Sequence, residues 1–227
     1  MRRAILQRIA STVALTALFG GMLFLGAGTF WFPRAWVFLG LSLALFTINL
    51  LWTLRANPAA IEARAKVGEG TKPFERWFGL VFGVAALAMH FSIGLQTVRL
   101  GEPAFGAVGL GIGAVLMVVG DVPIAWAMAT NPHIEKTVRI QKDRGHVVIS
   151  SGPYAIVRHP MYVGLILQYA GVPLYFGSWW GAVAAAVAIG ALVVRTALED
   201  RTLRAELPGY ADYAEHQTRH RLLPGVW

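Results

Sequence analysis

The sequence contains no cysteine. No disulfide framework, thiolate nucleophile or cysteine-ligated metal is therefore open to it. Charge is sparse too. Only 14% of the 227 residues are Asp, Glu, Lys or Arg, against about a quarter in an ordinary soluble domain. Acidic residues are the rarer sign, 12 against 20 Lys and Arg, which leaves a formal net charge of +8. Internal repeats and low-complexity tracts are missing as well, which removes repeat arrays and biased linkers from consideration.

What the chain has in excess is apolar surface. It is 56% hydrophobic with a mean hydropathy of +0.55, the composition of an integral membrane protein. The cations lie between apolar runs rather than on one face. That placement suits anionic headgroups and topology, and no nucleic-acid partner is expected.

Residues 9–32 follow a basic head, Arg2, Arg3 and Arg8. The run exceeds the roughly 7–15 residues of a signal-peptide core and more runs follow, so it reads as a first transmembrane helix. Residues 35–54, 77–97 and 106–129 make three further spans. Residues 161–194 read as a helical hairpin turning at Gly177-Ser178, its second helix running on through Leu203 until Pro208-Gly209 stops it. The fold class expected is all-α: a polytopic membrane bundle of four spans, a C-terminal hairpin and a cytosolic lid. Residues 1–129 form the membrane part and 130–227 the region that carries chemistry.

Sidedness follows from the cations. Whether the hairpin is two tilted spans or one span plus a re-entrant half, provided it crosses twice or not at all, eighteen of the twenty Lys and Arg fall on one side, all but Arg34 and Arg99. The positive-inside rule makes that side cytoplasmic, termini included. Small-residue spacings, Gly79-x-x-x-Gly83 and Gly109-x-x-x-Gly113, are expected to let helices approach.

Two polar clusters share the cytoplasmic side. In 146–162, Gly152-Pro153 sets a turn, and Pro160 suits the first position of a helix whose N-terminus favours an anion. Interfacial anchoring by Tyr154, Arg158 and Tyr162 is the plain alternative. The second cluster is Arg195 and Glu199, four apart on one helix face. Arg before Glu is the weaker order for an ion pair, which leaves each free for an outside partner. Asp121, ionisable inside a span, defaults to a functional or partnered role. Asn49, His90 and Gln96 read as interhelical hydrogen bonds. His216 and His220 lack the acid of a zinc motif, so no metal is expected.

Read together, Gly-Pro-Tyr-x-x-x-Arg-His-Pro-x-Tyr-x-Gly (152–164), Arg195-x-x-x-Glu199, Tyr210-x-x-Tyr213 and Arg221-Leu-Leu-Pro resemble the isoprenylcysteine carboxyl methyltransferases and the related phospholipid methyltransferases. The resemblance covers the chain from about Gly120 onward. It implies S-adenosylmethionine as cofactor and methyl transfer to a lipophilic acceptor, most simply a carboxylate. The alternative acceptors are a phospholipid or a small molecule methylated on N or S. Carried over by position, cofactor contacts fall on His146, Val147, Val148, Ile149, Tyr154, His159, Pro160, Met161, Tyr162 and Glu199, with a further glutamine at Gln141 whose spacing to His146 departs from the family. The acceptor arginine falls on Arg195. Arg195 and Glu199 are thus the catalytic candidates, with the acceptor entering sideways from the bilayer. Glu199-Asp200 departs from the family's frequent paired glutamates. The competing readings are an NADPH-dependent membrane reductase, which needs a basic pocket for a 2′-phosphate, and a non-enzymatic transporter or assembly factor.

Overall fold

The computed structural model describes residues 1–65 and 68–227. Lys66, one of the cations used above for sidedness, lies outside the described residues. Among the described residues the chain is helix and loop with no strand.

The long helices are α1 (Arg2–Ala27), α2 (Pro33–Ala56), α4 (Phe74–Gly94), α5 (Gly106–Thr130), α6 (Pro160–Phe176) and α7 (Trp179–Glu206); short α3 (Pro58–Ala63) joins α2 to α4. A π turn, Leu95–Arg99, extends α4, and α8 (Tyr210–Asp212) leads into a second one, Tyr213–Gln217. Proline opens α2, α3 and α6, where its missing N–H costs no bond. Five helices, counting α4 with its π turn, are long and apolar enough to cross a membrane.

Helix boundaries correct the expectation at both ends of the first span. α1 begins at Arg2 and stops at Ala27, so the basic head is helical and 28–32 is a turn. The linker after α2 holds α3. Met1 clamps it there through an ion pair from the N-terminal ammonium to Glu62, 2.8 Å.

The hairpin runs the depth of the bundle. Although α6 has 17 residues, about 25 Å at 1.5 Å each, its far end reaches the connection before α5. There Ala104 N–H donates to Gly177 O at 2.7 Å. Gly177 takes φ 78°, and a Cβ on it would meet Ala104 O at 2.2 Å, so only glycine fits. Gln96 ties the same corner, accepting from Ser178 Oγ at 2.8 Å and Trp180 N–H at 3.1 Å, the interhelical role expected of it.

Glycine sets how closely α5 and α6 approach. A Cβ on Gly113 would lie 2.6 Å from Gly171 O, and one on Gly164 would lie 2.3 Å from Gly120 O. Gly109 packs on the same seam, 3.1 Å from Leu174 O by the same measure. Gly79 and Gly83 do not behave as expected: nothing lies within 4 Å of a Cβ on either. Their face of α4 is open, because α4 packs on α1 through Gly94, whose Cβ would meet Leu23 O.

Candidate active site

At the end of the bundle opposite Gly177, residues 131–159 fold over the start of α6 and the outgoing end of α7. Backbone and side-chain bonds explain why this lid holds one shape. Arg139 bonds Glu135 at 2.7 and 2.8 Å and Asp143 at 2.7 and 3.3 Å. Its guanidinium lies so close to Gly68 that a Cβ there would overlap it. The linker before α4 is therefore laid along the lid, and Lys72 N–H donates to Val138 O at 3.0 Å.

A single carboxylate fastens the lid to α7 and the tail. Asp200 is fully buried and accepts from Arg158 at 2.7 and 3.2 Å, Arg221 at 3.0 Å, Arg204 at 3.3 Å and Tyr210 Oη at 3.0 Å. The tail then lies against the lid. Arg158 N–H donates to His220 O at 2.9 Å, and His159 N–H to Arg221 O at 3.0 Å. Tyr213 Oη and Thr218 Oγ1 both donate to Tyr154 O, at 2.6 and 3.0 Å.

These elements enclose a cleft that opens to solvent at this end of the bundle. Its walls include His146, Val147, Val148, Ile149, Tyr154, His159, Pro160, Met161, Tyr162, Arg195 and Glu199, the residues marked from the sequence. Gln141 lines it too, fully buried, with its amide shared between His133 O and Arg144.

The electrostatics of the cleft are specific. Arg139 is neutralised by Glu135 and Asp143, and Arg158 by Asp200. Arg195 is neutralised by Glu75 in the first turn of α4, through Nε at 2.9 Å and Nη2 at 3.1 Å. It also bonds Lys136 O and stacks over Phe78 and Tyr162, 4.4 and 5.2 Å from the ring centres. Glu199 is different: it accepts from Tyr162 Oη at 2.5 Å and, among the described residues, has no cationic partner. The cleft thus presents one carboxylate with no cation in contact, only the charge of Arg195 one turn earlier, which leaves it open to a further cation.

Arg195 and Glu199 do not pair with each other. The bidentate edge expected to clamp an acceptor's carboxylate is already on Glu75. Glu75 carries no signal in local spacing, since Arg195 lies 120 positions away, and of the arginines on Asp200 only Arg204 is a local, i,i+4 partner. Pro160 offers α6 no N–H, and those of Tyr162 and Val163 fold back onto His159 O. Two buried ring nitrogens at the cleft, His133 Nδ1 and His159 Nε2, lack hydrogen-bond partners. His159 Nε2 stands 3.5 Å from Asp200.

Burial, then the charges of His133, Arg139 and Arg144, lowers His146 to about 4, so it is neutral near pH 7. Burial pushes the Tyr154 phenol well above its usual range, and Asn131 donates to that phenol at 3.1 Å. Neither group is poised as an acid or base at neutral pH. His90 corrects another expectation: its Nδ1 meets Ala86 O of its own helix at 2.7 Å, and its ring stacks on Phe19, so it makes no interhelical hydrogen bond. His216 pairs with Asp212 at 3.0 Å, and His220 faces Gly225 N–H instead.

The fold defines a polytopic helical bundle with a solvent-open cleft at one end. Residues 108–206, from α5 to α7, match the model of the phospholipid methyltransferase family. No curated protein matches the chain. The family is one of membrane methyltransferases.

Proposed function

We propose that this protein transfers a methyl group from S-adenosylmethionine to a lipophilic acceptor held in the membrane. One observation carries the reading. Three separated segments, 146–149, 154–162 and the end of α7, converge on a cleft whose unpaired charge is the Glu199 carboxylate. The donor set fits the cofactor: Glu199 for its ammonium, the orphaned His133 and His159 nitrogens for polar groups, and the Tyr154 and Tyr162 walls for flat or sulfonium faces.

Bound there, S-adenosylmethionine supplies an electrophilic methyl group on a sulfonium. Tyr162 Oη, donating to Glu199, fixes the carboxylate so that it orients what it binds. Arg195, held on Glu75, buttresses the Tyr162 ring. A carboxylate acceptor needs no base, whereas an amine must surrender a proton to a base other than the Glu199 that holds the cofactor's ammonium. Because the bidentate edge of Arg195 is occupied, acid recognition of the acceptor is better sought elsewhere. The reductase alternative is disfavoured by the same arithmetic of charge: each arginine lining the cleft is already paired, leaving none for a 2′-phosphate.

Calorimetry with S-adenosylhomocysteine on detergent-solubilised protein tests the reading. Saturable binding is expected, with a loss of about tenfold or more in Glu199→Gln. Absence of binding by folded protein would overturn it. A labelled-methyl assay over membrane lipids and prenyl-cysteine analogues then identifies the acceptor.

A further inference from the structure

A second cavity lies in the apolar part of the bundle, between α1, α2, α4, α5 and α6. It measures about 1150 Å³ counting its mouth, and its walls are largely aliphatic and aromatic. Five groups on it are strongly polar: Arg8, Asn49, His90, Asp121 and Gln168. His90 is committed to Ala86 O. Arg8 is not similarly satisfied. Its Nη2 donates to Asn49 Oδ1 at 3.1 Å, its guanidinium lies 5.6 Å from the Phe46 ring centre, and its Nε is buried with no partner. Among the described residues no carboxylate lies within 4 Å of it, and Asp121, across the cavity, acts on it only through space.

An arginine held within a membrane span with no carboxylate in contact is costly and favours an anion at its open edge. The cavity also stands next to the cofactor cleft. Leu165 lines the cavity and Met161, one turn earlier on α6, lines the cleft, so the partition is about one turn, or 5.4 Å, along that helix. The Gly120–Gly164 approach sets Asp121 at the same level. Arg64 closes the partition, its Nη1 on Glu135 O at 2.9 Å and 3.9 Å from Met161 Sδ. Burial, then the nearby charge of Arg8, lowers Arg64 to about 10, so the two cations lie within reach of each other and add to one positive zone.

We propose that this cavity is the acceptor's chamber, and that Arg8, steadied by Asn49, binds an acidic oxygen group, phosphate or carboxylate, on a chain-bearing lipid. The inference rests on the methyltransferase reading and moves acid recognition from Arg195, which Glu75 occupies, to Arg8. The apolar walls take the chain, and the short partition leaves the headgroup within a turn of the methyl donor's cleft.

The test measures binding of hexadecyl phosphate, palmitate, hexadecanol and inorganic phosphate to the full-length protein in detergent, by thermal shift and native mass spectrometry. The two acids are expected to bind and hexadecanol to bind at least about tenfold more weakly, with Arg8→Met lowering affinity for the acids by ten- to hundredfold, as for loss of a charge-assisted hydrogen bond. Leu165→Trp, which fills the chamber without touching Arg8, is expected to abolish binding and guards against Arg8→Met failing to fold. Equal binding of hexadecanol and hexadecyl phosphate would overturn the proposal, as would binding of inorganic phosphate that matches the lipid. Restoration of Arg8→Met stability by Asp121→Asn would also sink it, since Arg8 would then serve an internal partner. S-adenosylhomocysteine affinity is expected to stay unchanged in Arg8→Met. Loss of cofactor binding in the wild type would instead count against the methyltransferase reading, so the two failures are distinguishable.

Discussion

Asp200 is the residue whose loss the cleft can least absorb. It is fully buried against three guanidinium groups and a phenol. Asp200→Asn removes the charge that compensates them and turns an amide N–H₂ toward donors. Breaking a buried pair in this way costs about 3–5 kcal/mol, expected as a large fall in melting temperature in detergent. At the same scale His146 gives a pH signature. Its value in the fold, about 4, lies below the ordinary 6.5, so the unfolded chain takes up a proton first as pH falls. Its contribution to stability is complete above about pH 6.5 and fades toward pH 4, and His133 is shifted the same way. The melting temperature of wild type should fall over that window more than that of His146→Gln. Equal slopes would rule out His146 as the source. Residue types carried much of this site in the sequence, because Arg158-His159-Pro160 and Glu199 belong to local patterns. Glu75 was not legible: its partner Arg195 is 120 positions away, and periodicity reports nothing about such a pairing.

Between elements, glycine decides which faces meet. On the α5–α6 seam Gly164→Ala would drive a methyl group into Gly120 O, at an overpacking cost of about 1–3 kcal/mol. The same change at Gly79 or Gly83 meets open space and should be neutral, or stabilising by up to about 1 kcal/mol through helix propensity. Thermal unfolding of the three variants separates the faces, and a destabilised Gly79→Ala would contradict the packing described. The spans themselves were legible from run length alone, as was the turn at Gly177-Ser178. Glycine spacing was not enough: Gly79-x-x-x-Gly83 and Gly109-x-x-x-Gly113 read alike, and only one of the two spacings is packed. Short α3 escaped notice because six residues are too few to show helical periodicity.

For the whole molecule, the open question is which face of the membrane holds the cleft. Arg34 and Arg99 share the end of the bundle that carries Gly177, with Arg34 O accepting from Tyr175 Oη at 3.4 Å and Arg99 donating to Leu25 O at 3.1 Å. The lid and the other cation-bearing segments gather at the opposite end. The positive-inside rule then predicts that Lys142→Cys and Arg201→Cys react with a membrane-impermeant thiol reagent from the cytoplasmic side, and Trp31→Cys and Glu102→Cys from the other. The chain has no native cysteine to remove first, so sealed vesicles of each orientation give a direct answer. Labelling of Lys142→Cys and Trp31→Cys from one side would refute the topology.

The backbone of Arg158 and His159 finds its partners on His220 and Arg221, 62 positions later in the chain. A nascent chain can therefore complete its membrane bundle while the lid still lacks its fastening. Translation products halted before His220 would insert their helices with the lid unfastened.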